Sequence, residues 1–138
     1  MNGPLLDSNV LLDILVQDPV WYPWSSKTIA ALLDAGNVFV NPIVFAEVSV
    51  GFERVEALDD ALPREIFRRV PLPWEAAFLA GKAFLRYRRS GGQRRSPLPD
   101  FYIGAHAAVK NVPLVTRDPR RYRSYFPSLE IITPETTV

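Results

Sequence analysis

The chain has no cysteine, one histidine and one methionine, and its net charge is only +1 over 138 residues. Without cysteine there is no thiolate nucleophile, no sulfur-ligated zinc and no disulfide scaffold, and an intracellular compartment fits. A single imidazole, His106, excludes any site that needs two. No apolar run approaches the roughly 18 residues of a membrane span, and the first residues lack the basic-then-apolar order of a signal peptide. The expectation is a soluble, cytoplasmic protein without membrane contact.

What is present suits one folded domain over residues 1–138. Hydrophobic residues make up 48% and charged residues 22%, at a mean hydropathy near zero, and neither a repeat nor a linker interrupts the chain. The 13 prolines are scattered, so they punctuate short elements. Short apolar runs alternate with helical patterns, the signature of an α/β domain with a mostly parallel sheet. Strands are expected at Leu5-Leu6, Val38–Val40, Leu114–Thr116 and Glu130–Ile132, with a further short one at Pro71–Pro73. Helices are expected over Val10–Val16, from a Ser25 or Ser26 cap to Leu33, after Asn41-Pro42, over 59–69, over 75–89 and over Pro99–Val109. Residues 90–97, SGGQRRSP, form the clearest loop, and DPRRYRSYF reads as a short helical turn.

The near-zero charge conceals a division. Residues 1–60 carry nine acids against Lys27 and Arg54, a balance of −7, which leaves +8 for the remainder. Thirteen of the sixteen bases are arginine, whose planar fork matches phosphate, so a polyanion partner enters as a hypothesis.

Four carboxylates stand at informative places. Asp7 follows the first strand, Asp100 opens the helix after the loop, Asp118 follows the Leu114 strand, and Glu47 is the one charge in an apolar helix. In an open parallel sheet, groups just past the carboxyl ends of strands share a crevice. Oxygen ligands without nitrogen or sulfur suit a hard cation such as Mg2+ or Mn2+. Each acid also has a plainer reading. Asp7 and Asp118 are good helix caps, Asp100 complements a helix dipole, and Glu47 can be a solvated position.

The segments LLDSNVLLDIL, NPIVFAEVSVGF, PLPDFYIGAHAAV and VPLVTRDPRRYRSYFP, in this order, resemble the PIN domain family, most closely its VapC-like toxin ribonucleases, from Leu5 to about Pro134. The resemblance implies a single PIN-like domain with a central sheet of four to five strands flanked by helices. It maps the family's acids onto Asp7, Glu47, Asp100 and Asp118, the last as a supporting ligand. Pro99 departs from the alanine frequent in the family. The implied activity is a metal-dependent endoribonuclease of a toxin–antitoxin module, with a cognate antitoxin and a homodimer as partners.

On that reading Asp7 and Asp100 ligate the ion directly, Glu47 does so directly, through water or as general base, and Asn9 and Thr116 orient a carboxylate or a water. RNA phosphates fall to Arg86, Arg88, Arg89, Arg94 and Arg95 around the loop, and to Arg117, Arg120, Arg121 and Arg123 after the last acid. Tyr87, Tyr122 and Tyr125 are candidates to stack on bases. The plainer alternatives are a solvated arginine face and tyrosines at the core edge. His106 reads as a packed or surface histidine. Trp21–Trp24, if exposed, would mark a partner or dimer surface. The competing function is a non-catalytic RNA-binding or assembly module of the same fold. A phosphatase or receiver domain fits poorly, because no second acid lies two residues beyond Asp7 and no lysine follows a late strand.

Overall fold

The computed structural model describes residues 1–134; the last four residues of the expected 1–138 domain lie outside the described residues. The chain runs β1 (Leu5–Leu6), α1 (Ser8–Leu15), α2 (Tyr22–Ala35), β2 (Val38–Val40), α3 (Pro42–Ser49) and α4 (Val55–Ala61) in its first half. It continues with β3 (Phe67–Arg69), α5 (Trp74–Arg89), α6 (Pro99–Lys110), β4 (Leu114–Val115), α7 (Arg120–Tyr125) and β5 (Ile131–Ile132). The strands form one parallel sheet in the order β3-β2-β1-β4-β5, as the alternating pattern predicts. Leu5, Leu6, Val38, Val40, Leu114 and Val115 are all essentially unexposed, the mark of strands covered on both faces.

Four element expectations are corrected. Residues 59–69 are not one helix. Proline lacks an amide hydrogen and disfavours the α conformation before it, and α4 ends at Ala61 just ahead of Pro63. The fifth strand then forms at Phe67–Arg69, where amides are free to pair with β2, rather than at Pro71–Pro73. The second helix begins at Tyr22, not at Ser25 or Ser26. Asp18 supplies the turn instead, its carboxylate accepting from the amides of Val20 and Trp21 at 2.9 Å each, with Pro23 in the first turn of α2. The aromatic run Trp21–Trp24 is therefore the start of a helix. The first helix likewise starts two residues early, at Ser8, because Asp7 caps it.

β1 lies at the centre and is the point where the strand order reverses, so its carboxyl end opens on the crevice between chain segments leaving in opposite directions. Asp7 at that end donates its amide to Val115 of β4 at 2.9 Å, which fixes the residue after each strand beside the other. α5 packs along α6, and α6 packs on α7 through Gly104. A Cβ at Gly104 would lie 2.6 Å from two ring carbons of Phe126. Gly104→Ala is expected to destabilise the fold by about 1–3 kcal/mol in urea unfolding, through displacement of α7. An unchanged midpoint would show that the two helices separate freely.

Candidate functional site

Asp7 leaves β1 with extended backbone angles and its carboxylate folds over the start of α1, Oδ1 accepting the Ser8 amide at 2.7 Å. The capping reading is thus correct, and the residue does more. It is 4% exposed, and its Oδ2 accepts from the Thr116 hydroxyl at 2.9 Å and the Tyr122 hydroxyl at 2.8 Å. The amide nitrogen of Asn9 stands 3.5 Å away and bonds Thr116 Oγ1 at 3.0 Å. Thr116 and Asn9, expected to orient a carboxylate or a water, both lie against the Asp7 carboxylate.

Glu47 comes from α3, which begins at Pro42 under an Asn41 cap whose Oδ1 accepts the Val44 amide at 2.9 Å. The other face of that cap bonds the buried His106 ring, Asn41 Nδ2 to Nδ1 at 3.0 Å, so the histidine is packed. Since Asn41 Nδ2 is a donor, Nδ1 accepts and the proton sits on Nε2. Glu47 is half-buried and accepts the Ser8 hydroxyl at 2.9 Å. Ser8 thus touches both acids, through its amide and its side chain. Asp100, in the first turn of α6, lies 3.4 Å from the same Tyr122 hydroxyl, with Arg121 Nη1 at 3.5 Å. Asp118 is the outlier: its side chain is 66% exposed and lies 3.9 Å from Arg120, while its amide donates to Thr116 Oγ1.

Burial, offset by bonds from Tyr122 and Thr116 and reinforced by the Asp100 charge, lifts the Asp7 carboxyl to about 6. Burial also raises Glu47 and Asp100, and the charge of Asp100 adds to the rise at Glu47 as that of Asp118 does at Asp100. These acids feel one another. Tyr122, buried and beside Asp7 and Asp100, is held well above the usual phenol range and stays a proton donor. Its burial rules out stacking on a base. Tyr87 and Tyr125 pack edge-on against Phe101, with ring centres at 5.6 and 5.1 Å, so the tyrosines belong to the core edge. Ser8 and Asp13 were not singled out from sequence as site residues, and Tyr122 was singled out only as a candidate to stack on a base. The one available signal for Tyr122 was its position a helical turn beyond Asp118.

The donor set, hydroxyl oxygens beside carboxylates whose pKa is raised by burial and mutual repulsion, fits a hard divalent cation. Among the described residues, no three acidic or imidazole groups stand close enough to make a closed ligand cluster as they lie. A cavity of about 580 Å3 lies elsewhere, between Leu79, Ala107, Val112, Tyr125 and Leu129, and no acid of this group lines it.

Of the expected phosphate-binding arginines, Arg88, Arg89, Arg94, Arg95, Arg120, Arg121 and Arg123 are exposed. Arg88 also donates to the Arg94 carbonyl. Arg86 is exposed but donates to the Tyr125 carbonyl and lies over that ring. Arg117 is half-buried against Asp13.

Residues 5–126 match the PIN domain family. The chain belongs to that family. No curated protein matches it. The PIN fold is shared with VapBC2 from Rickettsia felis bound to a fragment of promoter DNA, at 18% identity and a TM-score of 0.72 over 94% of this chain and 96% of that one. FitAcB from Neisseria gonorrhoeae gives 21% identity and a TM-score of 0.70 over 95% and 97%. DNA-bound VapBC from Salmonella typhimurium gives 18% and 0.72 over 96% and 98%. Among the described residues of this PIN domain, no helix is long and apolar enough to cross a membrane.

The raised Asp7 carboxyl gives a pH test. Its proton is held more tightly in the folded chain than in the unfolded one, so between about pH 4 and 6 unfolding releases it and stability falls. The loss is on the order of 3 kcal/mol and is complete above about pH 6. Asp7→Asn should lack this fall, so in chelator its stability should gain on the parent across that window when followed by urea unfolding. A constant difference from pH 4 to 7 would show that Asp7 titrates normally.

Proposed function

We propose that this PIN chain is a metal-dependent endoribonuclease and the toxin of a toxin–antitoxin pair. The carrying observation is that Asp7, Glu47 and Asp100, from three different elements, meet around the hydroxyls of Ser8 and Tyr122 at the carboxyl end of the central strand. Carboxylates held wholly or partly away from water, with raised pKa values, are costly for structure alone. Asp7, Glu47 and Asp100 would hold Mg2+ or Mn2+, with Asp118 in support from its exposed position. A bound ion supplies a water of lowered pKa and a clamp on phosphoryl oxygens.

The chain's own groups do the rest. Glu47 either ligates or takes the proton of the attacking water, Thr116 and Asn9 fix the direction of the Asp7 carboxylate, and the single Tyr122 hydroxyl proton is donated to Asp7, with Asp100 3.4 Å from the same oxygen. Arg121 stands on Asp100 and Arg120 on Asp118, which puts the second arginine cluster beside the acids, where a phosphodiester would lie. An antitoxin partner is supported by the complexes that share the fold, among them a toxin–antitoxin complex from Klebsiella pneumoniae. Trp74 and Phe78 on α5 and Val50 and Val55 around the α3–α4 junction are exposed, and are surfaces for that partner or for a second copy.

The test is cleavage of mixed single-stranded RNA with Mg2+ or Mn2+ and with chelator. The parent should cut only with the cation, and Asp7→Asn and Asp100→Asn should each lose more than about 100-fold in rate while keeping the parental far-ultraviolet dichroism. Two variants cutting at the parental rate would place the chemistry elsewhere. Cation-independent binding of RNA without cleavage would favour the non-catalytic module.

A further inference from the structure

Arg117 carries the charge and the location of a phosphate contact, yet its surroundings point elsewhere. Its side chain is 30% exposed, against 91% for Arg120 three residues on. Its Nε donates to both oxygens of Asp13, at 3.0 and 2.9 Å. Asp13 is 1% exposed, and among the described residues its one other side-chain partner is the Ser25 hydroxyl at 2.8 Å. The guanidinium carbon lies 5.6 Å from the centre of the Trp21 ring. If Arg117 swung out to an RNA phosphate it would leave a buried carboxylate with a single hydroxyl donor, a far larger loss than one screened phosphate contact returns.

The pair also sits where it can steer the site. The Arg117 amide donates to Asn9 Oδ1 at 3.2 Å, and Asn9 and Asp13 are one helical turn apart on the same face of α1. α1 therefore grips the segment 116–118 twice, once by Asn9 at its backbone and once by Asp13 at its guanidinium. That segment carries Thr116, which donates to Asp7, and Asp118, whose amide bonds Thr116 Oγ1.

We propose that Arg117 is a positioning residue: with Asp13 and Ser25 it clamps the segment after β4 against α1 and so sets the Thr116 hydroxyl on the Asp7 carboxylate. The clamp rests on the metal-site reading given above, and it separates two roles that the arginine cluster would otherwise share. Arg94, Arg95 and Arg120 face solvent for the polyanion, whereas Arg117 turns inward for the acids.

The experiment compares Arg117→Met, Asp13→Asn and Arg94→Ala with the full-length parent in three measurements. These are Mn2+ affinity by calorimetry, the salt dependence of single-stranded RNA binding between about 50 and 200 mM salt, and cleavage kinetics. Arg117→Met and Asp13→Asn should each weaken Mn2+ binding and lower kcat by about 10- to 100-fold, with KM and the salt slope as in the parent, and their combination should cost no more than either alone. Arg94→Ala should do the reverse, keeping Mn2+ affinity and reducing the salt slope by about one. The clamp is overturned if Arg117→Met lowers the salt slope like Arg94→Ala, or if Asp13→Asn, which remains isosteric and uncharged, leaves Mn2+ affinity and kcat unchanged. A parent that binds Mn2+ at Asp7 but cuts no RNA would sink the ribonuclease reading while the Mn2+ arm still decides the clamp.

Discussion

A carboxylate buried at the end of the central strand must be satisfied, and much of the local architecture follows from that requirement. Asp7 is placed by β1 where water barely reaches it, so each of its oxygens has to find a donor within the protein. The Ser8 amide comes from the helix it caps, the Thr116 hydroxyl from the end of the neighbouring strand, and the Tyr122 hydroxyl from the short helix beyond. Three separate stretches of chain are thereby pinned to one residue. The same donors reach outward, Ser8 to Glu47 and Tyr122 to Asp100, and so the other acids are held in relation to the first.

This arrangement keeps the acids poised between two needs. Their charges repel, which with burial raises their pKa values, and hydroxyl donors relieve part of the strain without removing it. A set of oxygen ligands that remains under-compensated in charge is what a divalent cation would complete. The helices that carry the acids are joined directly as well. His106 on α6 bonds the Asn41 cap of α3, and among the described residues its Nε2 has no hydrogen-bond partner, a polar cost borne where Glu47 and Asp100 must keep their spacing.

Much of this was legible in the sequence wherever a local rule decides. The N-cap at Asn41-Pro42, the loop at 90–97 and the inward-facing strands at 5–6, 38–40 and 114–115 all follow from residue type and spacing. The parallel sheet follows from their alternation with helices. What was illegible depends on partners far along the chain. β3 forms at Phe67–Arg69 because β2 offers it hydrogen bonds, and Arg69 finds Asp59 and the Phe45 ring only in the folded state. Tyr122 reads as one more aromatic in an arginine-rich turn until the fold carries it 115 residues back to Asp7. Arg117 reads as one more base until Asp13 is seen to be buried beside it. The four acids were visible as candidates because each lies at an element end or alone in an apolar helix; the Ser8 and Tyr122 hydroxyls that link Asp7, Glu47 and Asp100 were not.

The sheet order has a consequence for how the protein is made. β1 is synthesised first, yet one of its two neighbours, β4, pairs Leu5 with Leu114, and the hydroxyls that satisfy Asp7 belong to residues 116 and 122. During elongation the first strand and its acid wait for the last quarter of the chain, and closure over so long a stretch is slow. The amino-terminal half alone has Asp7 and Glu47 but neither Asp100 nor the donors that fix the first acid. The arrangement around Asp7 therefore cannot form on a fragment that ends before Tyr122.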